Sequence, residues 1–136
     1  MQLAASLLEK YSKAGPRYTS YPTAPYFTDA FGEKEWLEEI NQTQDKGRDL
    51  SLYVHIPFCD TLCYYCGCNM VATKKYDKAT EYLASLFQEI DRVAALTNPA
   101  RVARQLHWGG GTPPYLVPDD IRRLFAHVAN RFTIAA

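Results

Sequence analysis

All four cysteines of this chain fall between Cys59 and Cys68, so thiols confined to one short stretch cannot staple distant parts of a fold. A disulfide stabilises by closing long loops of the unfolded chain, and here the fold must rest on its apolar core instead. The thiols are then left for a metal or a cluster, which suits a reducing compartment. The N-terminus, Met1 to Lys10, lacks the basic start and cleavage site of a secretory leader. The expected location is the cytoplasm.

Composition agrees with an ordinary globular domain: 136 residues, 15 basic, 15 acidic and 47% hydrophobic. A net charge of zero leaves no electrostatic pull toward nucleic acid, so none is expected as a partner. No apolar stretch, Ser51 to Phe58 included, approaches the roughly 20 residues that cross a bilayer.

The pattern of elements divides the chain into 1–48 and 49–136. In the first part, Gly15 to Pro22 alternates Pro and Tyr with small polar residues and reads as an extended arm. Phe31, Trp36, Leu37 and Ile40 recur at near-helical spacing, predicting a surface helix over Phe31 to Asn41, with Gly47 closing the following loop. The second part opens with a strand over Leu50 to Phe58, because Leu52, Val54, Ile56 and Phe58 share one face while Tyr53, His55 and Pro57 share the other. Apolar residues from Ala79 to Ala94 at helical spacing predict a helix from Asp77 to Leu96, with Asp77 as its N-cap. Arg104 to Trp108 reads as a second strand running into Gly109-Gly110-Gly111, Pro118 to Arg131 as a second helix, and a third strand is expected from Phe132. Alternating strand and helix implies an α/β fold with parallel strands and right-handed crossovers.

Cys59, Cys63, Cys66 and Cys68 form C-x3-C-x2-C-x-C directly after the first strand, where parallel α/β folds carry their sites. Zinc favours two separated cysteine pairs, whereas thiolates packed into one loop suit the corners of a cubane iron–sulfur cluster. Inert buried thiols are the remaining use. Gly109 to Gly111 and Thr112 offer bare backbone at a strand end, either for a ligand or for a tight turn. Pro113-Pro114 follow where a phosphate loop needs a helix start and a lysine. Tyr53 shares a strand face with His55, and Tyr65 precedes Cys66; aromatic packing is the plain use of both rings. His55 and His107 read as satisfied interior histidines, not as iron ligands.

The strand-loop C-x3-C-x2-C with a glycine-rich next strand resembles the radical S-adenosylmethionine superfamily. Tyr53 through Asn69, the arm Gly15 to Ala24 and His107 through Pro113 are together similar to the oxygen-independent coproporphyrinogen III oxidases, almost end to end. The resemblance implies an arm plus the first two βα units of a partial parallel (β/α) barrel, truncated, with a [4Fe-4S] cluster on Cys59, Cys63 and Cys66. One iron stays open for S-adenosyl-L-methionine, contacted by Tyr53, Tyr65, Gly110, Gly111 and Thr112. On this reading the glycines serve that cofactor and leave the cluster alone.

Cys68 is then an accessory residue, not a ligand; its plain use is a buried small side chain supporting the loop. It also separates this branch from the related haem chaperones, which usually have an apolar residue there. The implied substrate, coproporphyrinogen III, carries propionates that the Arg17 guanidinium suits, although most such arginines are simply solvated. The implied reaction passes one electron from the reduced cluster to S-adenosylmethionine, giving methionine and a 5′-deoxyadenosyl radical that takes hydrogen from a propionate. Loss of carbon dioxide leaves a vinyl group, and two rounds give protoporphyrinogen IX. An unidentified electron donor, a monomer at full length and no turnover by the 136-residue chain alone complete the expectation. A haem chaperone on the same scaffold and a zinc-binding interaction module are the alternatives.

Overall fold

The computed structural model describes Ser6, Glu9, Lys10, residues 26–44 and residues 48–135. The arm around Arg17 and the loop-closing Gly47 therefore lie outside the described residues. Two compact units emerge, Met1–Trp36 and Leu37–Ala136.

In the first unit, Gly32 starts a helix. Its carbonyl accepts from the Trp36 N–H at 3.0 Å, the first helical bond, and its own N–H donates to the Glu35 carboxylate at 2.9 Å, which is the Glu half of a capping box, glycine having no side chain to return the other half. Helix α1 consequently spans Glu33–Thr43, shifted toward the C-terminus from the expected Phe31 to Asn41.

The second unit contains β1 (Leu50–Ile56), β2 (Phe58–Cys59), β3 (Val71–Ala72), α2 (Asp77–Leu96), β4 (Val102–Gly110), α3 (Pro118–Ala129) and β5 (Thr133–Ile134). The sheet order is β1-β4-β5 and both pairings are parallel, as the alternation of elements implies. The third strand begins at Thr133, one residue after the expected Phe132.

The strand does not run on to Phe58. Pro57 has no N–H to donate, so β1 stops at Ile56, and Phe58 and Cys59 pair instead with Val71 and Ala72. Strand β4 is longer than Arg104 to Trp108, since Gly109 and Gly110 still sit opposite His55 and Ile56. The apolar face of β1 buries Val54 and Ile56 against Leu83 and Ile90 of α2 and Leu124 and Val128 of α3.

Asp77 is the first residue of α2, not its cap. Tyr76 occupies the cap position with helical φ −69° and ψ −24° and no side-chain cap bond; its hydroxyl ties it to the next helix instead. That hydroxyl donates to the Asp120 carboxylate at 2.7 Å and accepts from the Val117 N–H at 3.0 Å. Asp77 still places a negative charge in the first turn, where the helix dipole favours it.

Helix α3 ends at Ala129, short of Arg131. The Arg131 and Phe132 N–H groups both donate to the Val128 carbonyl, at 3.0 and 2.9 Å, which tightens the chain and turns Phe132 into the core. Arg131 is thereby freed to reach Asp91 on α2: its Nε donates at 2.7 Å, and His127 Nε2 meets the same carboxylate oxygen at 2.8 Å.

Desolvation pulls the Asp91 carboxyl up, but the Arg131 and His127 bonds outweigh it and leave the group below its ordinary value. A carboxyl lowered by folding adds stability above its unfolded pKa of about 3.9, and the contribution is lost as pH falls through the folded value. Asp91→Asn should therefore destabilise at about pH 7 and cost progressively less toward about pH 2. Denaturant midpoints of both proteins at the two pH values check this; an equal loss at both would mean that the charge does not join α2 to α3.

Candidate functional site

The cysteine loop leaves the sheet at the C-terminal end of β1 and is closed at its base by the β2–β3 pair. The Val71 N–H donates to the Pro57 carbonyl at 2.7 Å and the Thr73 N–H to the Cys59 carbonyl at 2.9 Å. Within the loop the Cys66 N–H donates to the Cys63 carbonyl at 3.1 Å. All four thiols are free; Cys59 is buried, and Cys63, Cys66 and Cys68 are exposed. Exposure rules out the buried supporting role considered for Cys68. Its thiol is pushed up first by the neighbouring Cys66, then by desolvation, by a side-chain hydrogen bond with Cys66 and by Cys59 and Cys63.

The glycine run lies against this loop. Past the end of β1, the Gly111 N–H donates to the Ile56 carbonyl and the Thr112 N–H to the Phe58 carbonyl, each at 2.8 Å. A Cβ on Gly109 would sit 2.7 Å from the Tyr53 hydroxyl, and one on Gly110 2.7 Å from His55 Cε1. One on Gly111 would sit 2.9 Å from Cys59 Sγ and 2.7 Å from the Phe58 carbonyl oxygen. Gly110 also has a φ of 107°, a conformation that a side chain strains. The missing side chains thus make room for Tyr53, His55 and Cys59. At Gly111 the bare Cα leaves the space that the Cys59 sulfur fills.

Tyr53 and His55 form a fixed pair on the other face of β1. The His55 Nε2 lies 2.8 Å from the Asn69 carbonyl oxygen, which can only accept, so Nε2 carries the proton. Nδ1 is then an acceptor, and the Tyr53 hydroxyl donates to it at 3.2 Å. The Tyr53 ring also stacks on His107, with centroids 5.7 Å apart. Both nitrogens of His55 are taken, as expected of a satisfied histidine, but the ring is only half-buried and His107 is exposed, so neither is an interior residue here. Thr112 reaches Cys59: the hydroxyl oxygen lies 3.2 Å from Sγ. Tyr65 is fully exposed, as is Tyr64.

Sequence reasoning missed two of these contacts. The Asn69 carbonyl carries no side-chain signal, and the Thr112 bond to Cys59 joins residues 53 positions apart. A cleft of about 440 Å³ runs along β1 and α2 past Tyr53, His55, Tyr82 and Ile90. No cysteine lines it, so the thiol chemistry sits on a projecting loop beside the cleft.

Oxygen-independent coproporphyrinogen III oxidase of Mannheimia haemolytica is 43% identical over 130 residues, covering 96% of this chain and 87% of that protein. The chain belongs to the oxygen-independent coproporphyrinogen III oxidase family. The Escherichia coli member is 49% identical over 131 residues, covering 96% of this chain and 28% of its own length. The chain thus spans little more than a quarter of such relatives. A solved structure, coproporphyrinogen III oxidase (HemN) from Escherichia coli, described as a radical SAM enzyme, superposes with a TM-score of 0.81 at 46% identity, covering 96% of this chain and 28% of that one. No protein-family model matches the chain. For this oxidase family the structure confirms the parallel α/β start and the cysteine loop at the end of its first strand. No described helix is long and apolar enough to cross a membrane.

Burial makes the four thiols distinguishable in this oxidase-family chain. With no metal bound, mass-mapped alkylation should modify Cys63, Cys66 and Cys68 before Cys59. Gly111→Val should bring Cys59 up to the rate of the others, because the new side chain displaces its sulfur, whereas Gly109→Ala should leave Cys59 protected, since the flexible Tyr53 ring can yield. Equal protection of Cys59 in all three proteins would contradict the packing described.

Proposed function

We propose that this chain is the cluster-binding start of an enzyme that oxidatively decarboxylates coproporphyrinogen III to protoporphyrinogen IX in porphyrin and haem biosynthesis. The observation that carries the reading is the cysteine loop at the end of β1 with the Cys59 sulfur set directly against Gly111 at the glycine end of β4, in a chain of this family. The donor set fits an iron–sulfur cluster. All four thiols are free and lie on one short loop, and a cubane takes each thiolate on a separate iron. Cys59, Cys63 and Cys66 are the proposed ligands, and Cys68 stays out of the set because a fourth thiolate would close the iron that S-adenosylmethionine needs.

When bound, the [4Fe-4S] cluster and S-adenosylmethionine supply the one-electron chemistry that yields a hydrogen-abstracting radical. The chain's own residues hold and orient. Tyr53, fixed through His55, and the backbone of Gly110 and Gly111 with Thr112 line one side of the proposed S-adenosylmethionine position, and the exposed Tyr65 ring is free to cover the adenine side. Arg17 offers a fork for a substrate propionate. The enzyme is proposed to work as a cytoplasmic monomer supplied by a separate electron donor, with residues 1–48 as arm and surface helix and residues 49–136 opening the core domain.

Iron and sulfide counts after anaerobic reconstitution test the ligand set. Cys59→Ala, Cys63→Ala and Cys66→Ala should each lose the cluster, and Cys68→Ala should keep it; loss from Cys68→Ala as complete as from Cys63→Ala would refute the assignment. Given the chain joined to the rest of its relatives' length, reductant and S-adenosylmethionine should give protoporphyrinogen, while the 136-residue chain alone should take up iron without turnover.

A further inference from the structure

We propose that Thr112 is a positioning residue for Cys59 and raises the reduction potential of the cluster through an O–H···S hydrogen bond. The inference rests on the cluster reading above and concerns a contact present in the chain itself, the 3.2 Å approach of the Thr112 hydroxyl to Cys59 Sγ. Between a hydroxyl and a thiol either atom can donate. A ligating sulfur has lost its proton, so the hydroxyl becomes the donor.

The backbone holds both partners. The Thr112 N–H donates to the Phe58 carbonyl and its carbonyl accepts from the Tyr115 N–H, each at 2.8 Å, while the Cys59 carbonyl accepts from the Thr73 N–H at 2.9 Å. Gly111, immediately before Thr112, leaves the space that the sulfur fills. The bond is therefore preorganised by main-chain pairing on either side of it. Cys59 differs from Cys63 and Cys66 in being buried. Water can serve the two exposed sulfurs, and Thr112 does that work for the enclosed one.

A reduced cluster carries one more negative charge, shared onto its ligand sulfurs. A donor at a sulfur stabilises that state more than the oxidised one and raises the potential, as second-shell hydrogen bonds do. Removing the hydroxyl should make the cluster harder to reduce. The lone pairs of the Thr112 oxygen stay available, so a contact to S-adenosylmethionine is compatible with this bond.

The test uses the reconstituted protein without S-adenosylmethionine, so that a role in binding that cofactor cannot move the readout. Thr112→Val keeps the shape and removes the hydroxyl; Thr112→Ser keeps the hydroxyl. Iron and sulfide are counted, and the midpoint potential is read by electron paramagnetic resonance during a redox titration. The Val variant should shift to a more negative midpoint and the Ser variant should match the parent. Loss of iron from the Val variant alone, with the Ser variant fully loaded, also supports the proposal, since the hydroxyl is what Thr and Ser share. One midpoint for all three proteins overturns it, and so does a Ser variant that behaves like the Val variant. A parent protein that takes up no iron would instead overturn the cluster reading itself, and this inference with it.

Discussion

Parallel pairing of β1 with β4 sets the position of every group at the site. Tyr53 lies opposite His107 and His55 opposite Gly109, and the ladder continues past both strands through Gly111 and Thr112. Because parallel pairing fixes which residues stand beside which, the glycines come to rest against the site face of β1. A slip of one residue would invert the two faces of β1, sending Val54 and Ile56 outward and the Tyr53 and His55 pair into the core.

The core and the site share this strand. Its apolar face packs on α2 and α3, and its backbone is tied to α2 where the Tyr82 hydroxyl donates to the His55 carbonyl at 2.6 Å. Phe58, next to Cys59, stacks on Tyr115, and Tyr115 on Tyr76, whose hydroxyl reaches Asp120 on α3. Packing of the two helices therefore bears directly on where the buried cysteine sits. The three exposed cysteines depend less on the core and more on the closure of their loop by β2 and β3.

Within that loop, burial divides four chemically identical thiols into different roles. Cys59 belongs to the wall of the fold, sheltered by Gly111 and bonded by Thr112, while Cys63, Cys66 and Cys68 project from it. One thiol is thus fixed against the sheet and three are open to solvent.

The order of the main elements, the two faces of β1, the helix over 77–96 and the place of the cysteine loop after the first strand were all legible in the sequence, because each rests on local periodicity or on a short motif. The stop at Pro57 was legible in principle from its missing N–H, yet the pairing of Phe58 and Cys59 with Val71 and Ala72 was not, since no local pattern marks a two-residue strand. Asp77 had the residue type of a cap, but Tyr76 stands in the cap position with helical backbone angles, and Asp77 falls inside the first turn. The glycine run showed only that side chains were absent. Tertiary structure decided whose atoms fill the space, because Tyr53, His55 and Cys59 reach those glycines by strand pairing across more than fifty positions of chain, and a spacing pattern encodes neighbours along the chain, not neighbours across a sheet.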